Sequence, residues 1–170
     1  MTDLAWIESG GGPLVLMAEG VRAAWRGQHP TPVRSDTTDY ARACGVLEDV
    51  GVIPLGEAHV VVLGDEPDRT ALLPHSGDVF ILRWRWAPSG PTLLSALTDK
   101  IDRLSFDDSV AFRTRAGRHV LFDSACEGAN PGTCLVVDLD VDHYIIGTAL
   151  FAPDAGVCAL VHRLRPQVSA

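Results

Sequence analysis

The sequence predicts an α+β fold, a single domain over residues 1–170, mostly antiparallel sheet with two or three helices. Three observations predict it. Short apolar runs recur along the chain and break at Gly/Pro-rich turns such as Ser9-Gly-Gly-Gly-Pro13 and Ala152-Pro-Asp-Ala-Gly156. In the C-terminal third, Leu135, Val137, Leu139 and Val141 alternate with Val136, Asp138, Asp140 and Asp142, which sets one apolar face against one acidic face. The clearest helical spacing follows Pro91, with Leu93, Leu94, Leu97, Ile101 and Leu104 on one side.

Taken in order, Leu4 to Glu8 and Leu14 to Met17 read as two strands joined by the triple-glycine turn. Val21, Ala24 and Trp25 have helical spacing, and Gly27 ends a short helix. Residues 28–37, with Pro30 and Pro32, read as a loop. Thr37 or Thr38 caps a second helix with the stripe Tyr40, Ala41, Cys44 and Leu47, interrupted by Gly45. Val52 to Leu55, Val60 to Leu63 and Thr70 to Leu73 are short strands. Val79 to Trp86 is a longer one. Phe80, Leu82, Trp84 and Trp86 share one face, and the other runs Val79, Ile81, Arg83, Arg85. Val110 to Thr114 and His119 to Phe122 follow. Tyr144 to Phe151 and Val157 to Leu164 form a closing hairpin. The count is roughly eight to eleven strands.

Composition excludes several classes. No apolar run approaches the length of a membrane span, and the first residues lack the basic and apolar regions of a signal peptide, so a cytoplasmic protein is expected. A net charge of −8 has the wrong sign for direct nucleic-acid binding. Cys44, Cys126, Cys134 and Cys158 contain no C-x-x-C pair, and most of them read as small buried hydrophobes rather than a disulfide framework.

Catalytic and cofactor chemistry find little support. Gly10-Gly-Gly12 lacks the lysine and Ser/Thr of a phosphate-binding loop. Asp138-Leu-Asp-Val-Asp142 imitates the start of a calcium loop, but His143 stands where glycine is needed and Ala149 where glutamate is needed. The six histidines are scattered without ligand spacing, so no metal or cofactor is expected. Ser124 and Cys126 in Asp123-Ser-Ala-Cys126, with a histidine, define the rival reading of a small hydrolase or transferase. Trp84 and Trp86 are expected in the core, and Trp25 is the tryptophan expected to be partly exposed.

Charge is distributed unevenly. Residues 36–78 hold nine acids against two bases, a net of −7 within the chain's −8. The run His59-Val-Val-Val-Leu-Gly-Asp-Glu-Pro-Asp-Arg-Thr70 ends a buried strand in a proline-stiffened acidic turn. Such a block favours basic partners and speeds encounter with them. A solvated face that keeps the protein soluble would have the same composition.

The ordered motifs carry a family resemblance. Trp6-Ile-Glu-Ser-Gly-Gly-Gly-Pro-Leu-Val-Leu16 resembles the opening of the immunity protein 21 family of bacterial polymorphic toxin systems. Trp25-Arg-Gly27 is similar to its W-x-G element, Asp39-Tyr-Ala-Arg-Ala-Cys44 to its D-Y-x-x-A-C helix, and Val62-Leu-Gly-Asp-Glu-Pro67 with Thr70 to its L-G-D-E-P-x-x-T turn. Arg83-Trp84 and Asp123-Ser-Ala125 fit later elements. The chain departs from the pattern by an extra glycine in Gly10-Gly-Gly12 and a short Gly128 to Thr133 connection.

The resemblance implies a non-catalytic cytoplasmic protein that binds and occludes a cognate toxin. Toxins that attack nucleic acid carry basic clefts, into which an acidic surface fits. The expected contact residues are Asp65, Glu66 and Asp68 on the turn, with Asp36, Asp39 and Trp25 nearby. A constitutive interaction subunit is the remaining alternative.

Overall fold

Two antiparallel sheets packed face to face organise the computed structural model, which describes residues 4–31, 34–64 and 66–167; the side chains of 31, 34–36 and 108 lie outside that description. The strands are β1 (Leu14–Ala18), β2 (Pro30–Thr31), β3 (Arg34–Thr38), β4 (Gly51–Leu55), β5 (Ala58–Leu63), β6 (Arg69–His75), β7 (Asp78–Trp86), β8 (Asp107–Arg113), β9 (Gly117–Asp123), β10 (Cys134–Leu139), β11 (His143–Asp154) and β12 (Val157–Pro166). The helices are α1 (Asp39–Cys44) and α2 (Gly90–Thr98), and separate 3-10 turns lie at Glu19–Ala24 and Ile101–Arg103. Among the described residues one sheet has the order β10-β9-β1-β5-β4 and the other β6-β7-β12-β11-β8, while β2 and β3 pair alone.

Three apolar layers follow from this arrangement. Between the sheets, Leu14, Leu16, Val61, Leu63, Leu121 and Leu139 meet Val79, Ile81, Phe112, Tyr144, Ile146 and Leu164. Leu93 and Leu97 of α2, with Ile101, cover Phe80, Leu82, Phe151, Ala159 and Val161 on the outside of the second sheet. Trp25 and Ala43 cover Val15, Met17, Val60, Val62 and Phe122 on the outside of the first. The central strands of each sheet are thus buried on both faces, which explains the unbroken apolar run of β5, while the outer face of β10 stays open to solvent.

The α+β expectation holds in a sheet-rich form, with more strands than the sequence count allowed. Val137 and Leu139 face inward and Asp138 and Asp140 outward, as alternation predicts. Thr38 caps α1 through Oγ1, which accepts from Ala41 N at 3.0 Å. Ser89 caps α2 in the same way at Thr92 N.

Four expectations need correction. Leu4 to Glu8 is not a strand, because only Ile7 reaches a partner, exchanging backbone hydrogen bonds with Thr70. Residues 28–37 are not a plain loop but contain β2 and part of β3. Helix α1 ends at Cys44 and buries Asp39 and Ala43, so its predicted stripe is misplaced; Ala41 and Cys44 are exposed, and Leu47 lies beyond the helix in solvent. Trp86 is exposed rather than in the core, because a bulge sets Trp84 opposite Ala159 and Trp86 opposite Cys158, leaving Arg85 as the extra residue. None of the helices among the described residues is long and apolar enough to cross a membrane.

Candidate functional site

Arg83 organises the end of the sandwich that carries the acidic turn. Strand alternation sends Val79, Ile81 and Arg83 of β7 toward the space between the sheets, and Arg83 is fully buried there. A guanidinium in such a place needs acceptors for its fork of donors. Main-chain carbonyls supply them. Nη1 donates to Asp49 O at 2.8 Å, and Nη2 donates to Gly64 O at 2.6 Å and to Glu66 O. The Asp68 carboxylate lies 3.8 Å from Arg83 Nε and 3.1 Å from Arg85 Nε. Arg85 also pairs with Glu66 at 3.5 Å.

One buried cation therefore ties two turns to β7, one around residues 46–50 and one around 64–68. Local sequence makes the approach possible. A Cβ on Gly64 would stand 2.1 Å from Glu48 O, so glycine is required there by close contact. Asp68 N donates to Glu66 O at 2.9 Å, and Thr70 Oγ1 donates to Asp68 O at 2.9 Å, which closes the second turn on itself.

The six residues expected at the contact surface are not alike. Glu66 is largely exposed. Asp68 is mostly buried and is engaged by the arginines. Asp65 lies outside the described residues. Asp36 is in β3, and its side chain lies outside the description. Asp39 is buried: its carboxylate accepts from Arg26 N at 2.8 Å and from Arg42 Nη1 at 3.1 Å. Trp25, expected to be partly exposed, is fully buried, and its indole N–H donates to Ser124 O at 2.9 Å. The reason is the tight seating of the neighbouring chain, where Gly128 N donates to Trp25 O and a Cβ on Gly128 would strike Arg22 O. Asp39 and Trp25 thus build the layer outside the first sheet rather than a surface.

Sequence reasoning gave Arg83 no anchoring role and placed Trp86 in the core. The signal for Arg83 was visible, since a basic residue continues an otherwise apolar strand face. Nothing local marks the bulge that exposes Trp86.

The candidate nucleophiles are poorly placed for chemistry. Ser124 is fully buried, and its Oγ has no hydrogen-bond partner. Burial, and then the charge of Asp123, push the Cys126 thiol up and keep it protonated. Burial holds His119 below its ordinary value; its Nδ1 donates to Gly117 O at 2.9 Å, so Nε2 accepts from the Thr114 hydroxyl at 2.6 Å. His162 is buried beside Thr148 Oγ1 at 2.9 Å, and burial followed by the charges of Arg83 and Arg85 pushes it down to about 3. No group of three or more His, Cys, Asp or Glu side chains that could hold a metal ion occurs among the described residues. Asp142, from the imitation calcium loop, instead accepts from Ala116 N at 2.7 Å.

Fold and site together define a helix-covered sheet sandwich whose acidic surface turns are anchored from within by a buried arginine. The model of a family described as immunity protein 21 matches residues 5–157, and the chain belongs to that family. Comparisons with the curated proteins and with the solved structures found no match.

Proposed function

We propose that this protein is a non-catalytic, cytoplasmic immunity protein that binds a cognate toxin and occludes it, the toxin being one that acts on nucleic acid through a basic cleft. The family match over residues 5–157 carries the reading. The charge pattern supports the kind of partner. A net of −7 in residues 36–78 favours rapid encounter with a basic surface. The burial of Ser124 and the raised Cys126 thiol speak against the rival hydrolase or transferase.

The test is titration of the product of the adjacent gene, purified as the candidate toxin, against the purified protein, with nucleic-acid degradation as the readout. Occlusion requires inhibition to saturate at one equivalent and a stable complex on size exclusion. Protection far below one equivalent would indicate turnover and overturn the non-catalytic reading. Absence of both inhibition and complex at low salt would overturn the immunity reading itself.

A further inference from the structure

Large apolar side chains are left in solvent at few places among the described residues: Leu47 is 84% exposed, Leu150 65%, Trp86 53% and Val136 50%. The first three converge on the end of the sandwich that Arg83 organises. Pairing places Thr70, Arg83, Leu160 and Leu150 in one row across β6, β7, β12 and β11, all on the side that faces the other sheet. Cys158, two residues from Leu160, shares that side, and the bulge sets Trp86 opposite Cys158. Arg85, next to Trp86, holds Glu66 and Asp68. Leu47 and exposed Glu48 stand in the turn whose Asp49 carbonyl Arg83 grips.

An inward-facing stretch of the second sheet thus runs into solvent at Trp86 and Leu150, and carboxylates stand along its margin. Tryptophan and leucine are costly to leave wet, and an apolar centre within a polar rim is the anatomy of a protein interface. The margin belongs to the acidic block, so complementarity selects a basic surround on the partner. We infer that this end of the sandwich is the toxin-docking face: Trp86 and Leu150 enter an apolar recess on the toxin, while Glu48 and Glu66 meet its basic rim. Arg83 is a positioning residue that fixes both turns against the strands. The inference rests on the proposed immunity function and moves the centre of the contact from the acidic turn to the apolar pair beside it.

The experiment measures affinity of the full chain for the product of the adjacent gene, taken as the candidate toxin and inactivated in its own active site, by interferometry at two salt concentrations. Trp86→Ala and Leu150→Asp should each weaken binding at least about thirtyfold, as expected of central anchors. Leu47→Asp, in an exposed turn where folding is not at stake, should weaken it roughly tenfold. Glu48→Lys with Glu66→Lys should slow association most at low salt. Val136→Asp, on the other sheet, should change affinity by no more than about twofold. Circular-dichroism melts establish that each variant is folded. Wild-type affinity in the Leu47, Trp86 and Leu150 variants would overturn the face and leave the immunity reading standing. Equal loss in Val136→Asp would overturn it as well. Failure of the unmodified chain to bind overturns both readings. A dimer of the free chain that Leu150→Asp converts to monomer would assign the face to a second copy and overturn the toxin as its occupant.

Discussion

Arg83→Met should cost the protein much of its stability. Methionine keeps most of the apolar stem but removes the guanidinium, which donates to the carbonyls of Asp49, Gly64 and Glu66. The bond to Gly64 O is buried, so its loss strands an acceptor that water cannot reach, at about 1–3 kcal/mol. The other two bonds are partly buried, and water can replace them at about 0.5–1.5 kcal/mol each. Asp68 retains Arg85 at 3.1 Å, so little is added for the broken ion pair. The expected loss is about 2–6 kcal/mol, a large part of a typical domain's ~5–15 kcal/mol. For a chain of this size, that lowers Tm by roughly 4–24 °C. Urea unfolding at pH 7 followed by circular dichroism measures it, with an unchanged slope expected. Arg83→Lys should recover only part of the loss, because an ammonium cannot reach three separated carbonyls as a planar fork does. A loss below about 1 kcal/mol for Arg83→Met would show that the two turns hold their places without it.

Three further outcomes are expected. The unfolded chain protonates His162 near its ordinary 6.5 while the folded chain resists down to about 3, so stability is complete above that upper value and declines as pH falls between the two. The slope is about 1.4 kcal/mol per pH unit, so wild type should lose about 2 kcal/mol more than His162→Gln between pH 7 and 5 in urea titrations. Parallel pH profiles would show that His162 takes up its proton without unfolding. Gly27→Ala should destabilise by about 2–4 kcal/mol, because Gly27 has φ +57° and its Cβ would stand 2.5 Å from Cys126 O; an unchanged thermal melt would contradict this. Trp25→Ala should cost about 3–5 kcal/mol in chemical denaturation, as for a buried aromatic, and a loss within the range of surface substitutions would contradict its placement in the core.

The parts of the fold legible in the sequence are those whose pattern is local. Alternation in β10 revealed its inward face, the leucine spacing after Pro91 revealed α2, and the Pro-Asp-Ala-Gly turn revealed the β11–β12 hairpin. Errors arose where distant contacts decide the outcome. Asp39 is buried because Arg26 N and Arg42 reach it from either side, and no local count separates that carboxylate from its solvated neighbours. Trp25 is buried because the segment around Ser124 to Gly128 folds over it, about a hundred residues away in sequence. The bulge at Arg85 shifts the strand period by one, so Trp86 leaves the face that period-two counting assigned to it. The acidic turn itself was legible as charge and proline. Its anchoring was not, because Arg83 and the carbonyls it grips meet only after β5, β6 and β7 have assembled.

Arg83 holds the two turns through oxygens that every residue type presents. The carbonyls of Asp49 and Glu66 would accept the same hydrogen bonds whatever side chains those positions carried. Gly64 and Gly51 are constrained by their identity, since a Cβ would stand 2.1 Å from Glu48 O at the first and 2.7 Å from a Val46 methyl at the second. The scaffold thus separates the means of attachment from the chemistry on display. Side chains at Leu47, Glu48 and Glu66 can be exchanged at little cost to folding, so the chemistry displayed at these loop positions is free to change while the sandwich beneath stays the same.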